Sequence, residues 1–207
     1  INYKSFFNPH RNYKEMIDGL SKTKFIGFNA STQALRFVNE WIRSRTISKP
    51  IVSITIREYD HDKTRNNNLN EWIKFAKWLS EHNFCPVFIP DTHNCWPIDS
   101  PMYKYDVFHE CCMNLDLRLA LYESSYLNFF YCTGIVSIAQ LNRKVPCIFF
   151  SPVFGSQLMK DRVDTKKILI EKYGIVHGSK YYGFENSNQW IYWEKDDFQN
   201  IKKQFLN

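Results

Sequence analysis

Four short apolar runs recur along the chain, each rich in β-branched or aromatic residues: 51–56 (IVSITI), 85–89 (CPVFI), 126–132 (YLNFFYC) and 146–150 (PCIFF). Runs of this length without polar alternation read as strands covered on both faces. Between the first two, Leu69, Trp72, Ile73, Ala76 and Leu79 recur at i, i+3, i+4, i+7 and i+10, and Asn68 followed three residues later by Glu71 is close to a capping box. The spacing predicts a helix there. A second helix is predicted over 115–123, where Leu115, Leu119 and Tyr122 share a face, and a short third one from Gly134 through Ile138 and Leu141. Strands alternating with helices require crossover connections and therefore parallel pairing. The expected fold is α/β: a Rossmann-like parallel sheet of four to six strands with helices on both faces.

Flanking segments extend this pattern. Residues 24–28 read as a short strand, and Ala34, Leu35, Val38, Trp41 and Ile42 mark a helix leading into Pro50. Downstream, 166–173 and 197–206 read as helices, the latter with Phe198, Ile201 and Phe205 on one face. The expected division is an N-terminal helical and strand segment, 1–49, and a Rossmann-like domain, 50–207.

Composition narrows the function classes. Lys and Arg number 27 against 21 Asp and Glu, a net +6 over 207 residues. The excess is dispersed; its densest group, Lys160, Arg162, Lys166 and Lys167, is interrupted by Asp161 and Asp164. No nucleic-acid-binding pattern accompanies it, so nucleic acid is not an expected partner, while nucleotide phosphates and anionic lipid heads at a membrane periphery suit it equally. No stretch approaches the roughly 20 apolar residues of a membrane span. Ile1 is followed by neither a secretory apolar region nor preceded by an initiator Met, the pattern of a processed or excised chain. Cys85, Cys95, Cys111, Cys112, Cys132 and Cys147 form no metal-ligand spacing and read as free thiols in a reducing compartment, the cytoplasm.

Open α/β sheets bind ligands beyond the carboxyl ends of their strands. After the first strand come twelve almost wholly polar residues, 57–68, with two guanidinium groups, Arg57 and Arg65. Arginine donates two parallel charge-assisted hydrogen bonds to phosphate, and the helix expected to start near Asn68 adds unpaired N–H groups and the positive end of its dipole. The alternative is a solvated loop with Arg57 paired to Asp60. After the second strand lie Asp91 and His93, the former suited to a hydroxyl or to holding Arg57. After the third, the 132–137 segment (CTGIVS) makes a small turn into a helix, with Thr133, Gly134 and Ser137 beside an approaching phosphate. Glu123 is a candidate acceptor for ribose or sugar hydroxyls, or a partner for Arg118.

Taken together, these segments resemble the nucleotide-sugar-binding half of GT-B glycosyltransferases. Residues 54–57 (ITIR) are similar to a segment of fucosyltransferase-like members. Residues 118–123 (RLALYE) through Cys132-Thr-Gly134 resemble the late helix, strand and glycine turn of heptosyltransferase-like members. The resemblance covers about 50–150, with 193–205 matching the closing helix. It implies that Arg57 and Arg65 neutralise a sugar-nucleotide diphosphate, that Thr133 and Gly134 bind it through backbone N–H groups, and that Glu123 contacts ribose or donor sugar. It implies no cofactor and no metal; Asp60-His-Asp62 has a metal-site spacing but sits among cations. The implied activity is metal-independent transfer of a sugar from a nucleotide diphosphate sugar to a glycan or lipid-linked acceptor. The alternative is a non-catalytic nucleotide- or sugar-binding module. Two departures stand out: the chain supplies one Rossmann-like half, with 1–49 as a remnant of or link to an acceptor-side domain, and its glycine turn lacks the flanking acidic residue and Pro.

Overall fold

The computed structural model describes residues 27–60, 63–92, 95, 99–151, 170–171, 176–180 and 188–207. In chain order the elements are α1 (Thr32–Ser44), β1 (Ile51–Thr55), α2 (Leu69–Glu81), β2 (Cys85–Ile89), β3 (Asp106–Val107), α3 (Glu110–Met113), α4 (Leu115–Ser124), β4 (Leu127–Tyr131), α5 (Val136–Gln140), β5 (Cys147–Phe150), β6 (Ser179–Lys180), β7 (Gln189–Tyr192) and α6 (Phe198–Leu206). The strands form one sheet in the order β3-β2-β1-β4-β5-β7-β6. Every pairing is parallel except β6 with β7, so six parallel strands carry one antiparallel edge. The α/β Rossmann-like expectation is met, and the order reverses between β1 and β4.

Period-2 alternation divides the buried strand residues between two cores. Ile51, Val87, Ile89, Phe130, Cys147 and Phe149 pack with α1, α4 and α5. Val52, Ile54, Phe88, Phe129, Tyr131 and Ile148 face α2 and α6 on the other side. Aromatic edges tighten the second core: Trp72 meets Phe129 at 5.6 Å between centroids and 65° between planes. Such contacts add about 0.5–1.5 kcal/mol each beyond area burial. Ser53 and Asn128 are matched within the first core: Ser53 Oγ donates to Asn128 Oδ1 (2.5 Å), and Asn128 Nδ2 donates to the carbonyl oxygens of Tyr122 (3.0 Å) and Pro146 (2.9 Å).

Some elements differ from expectation. Residues 27 and 28 form no strand, and 24–26 lie outside the described residues. Of the helix expected at 166–173, only 170–171 are described, and they are helical. Strand β7 escapes a hydrophobicity reading because it starts with Gln189. That amide is buried and donates to the carbonyl oxygens of Ala139 (2.8 Å), Asn142 (2.8 Å) and Val145 (3.0 Å), closing the α5–β5 connection. All six cysteines are free. Among the described residues no helix is long and apolar enough to cross a membrane.

Candidate functional site

Strand β1 ends at the reversal point of the sheet, and the chain leaves it through Ile56, whose N–H still donates to the Ile89 carbonyl oxygen (2.9 Å). The polar loop beyond is folded by its asparagines. Asn67 Oδ1 accepts from the Arg57 N–H (2.6 Å), and Asn66 Oδ1 accepts from the Tyr59 N–H (2.9 Å) while its Nδ2 donates to the Tyr59 carbonyl oxygen (3.1 Å). Asparagine side chains satisfy nearby backbone groups in this way more readily than longer ones do. From the end of β2, Asp91 Oδ2 accepts from the Glu58 N–H (3.0 Å) and pins the same loop.

These contacts border a cleft of about 290 Å³ whose walls include Arg57, Tyr59, Asp91, Cys112, Arg118 and Thr133. The Arg57 guanidinium lies over the Tyr59 ring at 5.2 Å, and its Nε is buried without a hydrogen-bond partner. Arg118 is only 6% exposed, and its Nε donates to the Cys111 carbonyl oxygen (2.6 Å). Neither guanidinium forms an ion pair with a described residue, so the Arg57–Asp60 and Arg118–Glu123 pairings are absent. Withdrawing a guanidinium from water without a counter-charge costs several kcal/mol. Arg118 meets that condition and Arg57 is half-buried; together they outnumber the Asp91 carboxylate on the same cleft, a net positive charge that suits an anionic ligand. The Cys112 thiol is pushed up to about 11, chiefly by burial, so it lines the cleft as a neutral group.

Other expected site residues are placed differently. Arg65 does not line the cleft; its Nη2 donates to the Cys132 carbonyl oxygen (2.7 Å). The N-terminus of α2 is not open to phosphate. Asp196, which precedes α6, accepts from the Asn68 N–H (2.8 Å) and the Trp72 Nε1–H (2.7 Å), and a carboxylate therefore holds that position. Asn68 makes no side-chain cap, and Glu71 instead accepts from the Phe198 N–H (2.9 Å). Burial raises the Asp196 pKa, opposed by these hydrogen bonds and one with Tyr131.

Glu123 lies at the far end of α4 from the cleft, where its Oε1 accepts from the Ala30 N–H (2.8 Å) and Asn142 Nδ2 (2.7 Å). It ties the entry to α1 to the α5–β5 connection. Thr133 borders the cleft, whereas Gly134 and Ser137 are exposed and do not line it. A Cβ added at Gly134 meets nothing within 4 Å. The left-handed residue of this turn is Cys132, with φ of 44°. Burial pushes its thiol up to about 11 against the opposing Arg65 charge. His93 lies outside the described residues. Sequence reasoning missed Arg118, Tyr59 and Cys112 as cleft residues. The available signal was Arg118 itself, a lone charge among Leu117, Leu119, Ala120 and Leu121 on a helix otherwise destined for burial.

No protein family and no curated protein matches the chain. Four solved chains do. The glycosyl transferase family 9 protein from Veillonella parvula DSM 2008 is 12% identical, with 93% of this chain aligned to 50% of that one at a TM-score of 0.52. E. coli ADP-heptose lps heptosyltransferase II is also 12% identical, with 61% of this chain aligned to 40% of that one at a TM-score of 0.46. The former likeness shows the α/β fold. This chain spans half or less of the length of both.

Proposed function

We propose that the cleft binds the diphosphate of a nucleotide sugar and that the chain is the donor-binding half of a metal-independent GT-B-type glycosyltransferase acting on a glycan or lipid-linked acceptor. The observation that carries this reading is the pair of guanidinium groups, Arg57 and Arg118, facing one cleft at the reversal point of the sheet without carboxylate partners. The glycosyltransferase fold likeness supports it. In transfer, the bond between the anomeric carbon and the phosphate oxygen breaks, a bond to the acceptor oxygen forms, and the acceptor hydroxyl loses its proton to a base. The nucleoside diphosphate leaves with the electron pair. Fixed cations aimed at that developing charge lower the barrier without solvent reorganisation. Thr133 lies on the same wall to donate a further hydrogen bond. Arg65 acts by holding the β4 turn in position.

Thermal-shift and calorimetric titrations with UDP, GDP and ADP test the reading, with Arg57→Ala and Arg118→Met as variants. At least one diphosphate should stabilise the protein and lose affinity in both variants. Stabilisation by none removes the proposal. Release of nucleoside diphosphate from the cognate donor separates a transferase from a binding module.

A further inference from the structure

We infer that the protein carries a second ligand site, for a neutral saccharide, at the opposite edge of the sheet from the cleft and on the α2/α6 side. A groove of about 450 Å³ opens there, among the starts of β4, β5 and β7 and the last turn of α6. That volume falls within the roughly 300–1,000 Å³ of small-molecule pockets. Its origin is in the packing. Helix α6 leans on α2, with Phe205 edge-on to Phe75 at 5.7 Å. The β5 and β7 side chains Ile148, Trp190 and Tyr192 line a groove along the other flank of α6.

The chemistry of the walls selects the ligand. No lining side chain carries a formal charge: the groove presents the rings of Tyr126, Trp190, Tyr192 and Phe205 beside the amides of Asn188, Gln204 and Asn207. A pyranose has an apolar C–H face and a rim of hydroxyls that both donate and accept. Aromatic π-faces attract the positive C–H edge, and amides and phenols match the hydroxyls in both directions. An anion lacks a cation here, and a lipid tail leaves the amides unmatched. A peptide strand finds no free edge, because β5 is paired on both sides, with β4 and β7.

The groove is also preorganised. Tyr126 is 59% exposed, yet its ring rests at 5.4 Å from Phe84 and 6.4 Å from Phe205, which fixes it as a platform. Gln204 is buried, with Nε2 donating to Glu194 Oε2 (2.8 Å) and Oε1 accepting from Asn207 Nδ2 (3.0 Å), so its amide is part of the wall rather than an open partner. The Asn188 amide and the hydroxyls of Tyr126 and Tyr192 make no hydrogen bond with a described residue. The groove shares no lining residue with the cleft, so the inference stands apart from the proposed donor site.

The test is saturation-transfer NMR and calorimetry on the full chain with maltotetraose, cellotetraose and chitotriose. At least one should bind saturably, and Tyr126→Ala and Trp190→Ala should each weaken it about tenfold or more. Arg57→Ala and added salt should leave it unchanged. Tyr126→Ala removes an exposed ring, so an unaltered thermal melt shows that the loss belongs to the groove. The inference is overturned if no probe saturates, if binding survives both substitutions, or if sedimentation shows a dimer that Tyr126→Ala dissolves.

Discussion

The cleft, beyond the carboxyl ends of β1, β2 and β4, and the groove, among the starts of β4, β5 and β7, are built from opposite materials. The cleft carries Arg57 and Arg118, with no carboxylate paired to either, and is shaped by asparagine and aspartate bonds to backbone. The groove has no charged lining side chain and is shaped by ring-on-ring packing. A parallel sheet covered on both faces leaves its rims free for chemistry, so two unlike sites can coexist without disturbing one core. The difference also gives each site its own signature. Salt should weaken binding at the first and spare the second.

The largest expected effect is at the cleft: Arg57→Ala should weaken nucleoside diphosphate binding by roughly 1.5–3 kcal/mol, the range for hydrogen bonds to charged groups. Equal calorimetric affinity in a folded variant would take Arg57 out of the site. Next comes Asp196→Ala, which leaves the Asn68 N–H and Trp72 Nε1–H without their acceptor. Urea unfolding should show a loss of about 1–3 kcal/mol. Because Asp196 joins the start of α2 to the start of α6, both sites should loosen together, and an effect confined to one would break the link between them. Thiol reactivity offers a smaller test. With Cys112 and Cys132 both pushed up to about 11 by burial, thiolate is scarce at pH 8. A chromogenic disulfide reagent should label these two in the native protein far more slowly than after unfolding, and equal rates would contradict their burial. Smallest is Gly134→Val: with open space around the position, stability should change by no more than about 0.5 kcal/mol, measured by thermal melt. A larger loss would show that the turn relies on that glycine.

The architecture was legible because its strands are fully buried. Residues 51–56 and 146–150 announce themselves by apolarity, and Leu69, Trp72 and Ala76 by helical spacing. What stayed hidden depends on partners distant in sequence. The cap of α2 comes from Asp196, 128 residues beyond Asn68, and no local pattern at Asn68 and Glu71 reveals it. Glu123 sits about two turns along α4, at the rim away from the cleft, a placement fixed only once helix direction is known. Strand β7 begins with an amide whose Nε2 faces three carbonyl oxygens, so polarity masks its burial. At the candidate site the sequence located Arg57, Asp91 and Thr133. Arg65, expected beside them, instead donates to the Cys132 carbonyl oxygen, and loop composition does not tell a guanidinium aimed at phosphate from one aimed at a carbonyl.

Arg65 has a mechanical consequence of its own. By donating to the Cys132 carbonyl oxygen it straps the loop after β1 to the turn after β4. The two lips of the cleft are thereby joined like a jaw wired at a set gape. Ligands must be sorted by whether they fit that opening, with little closing motion left for the loops to contribute.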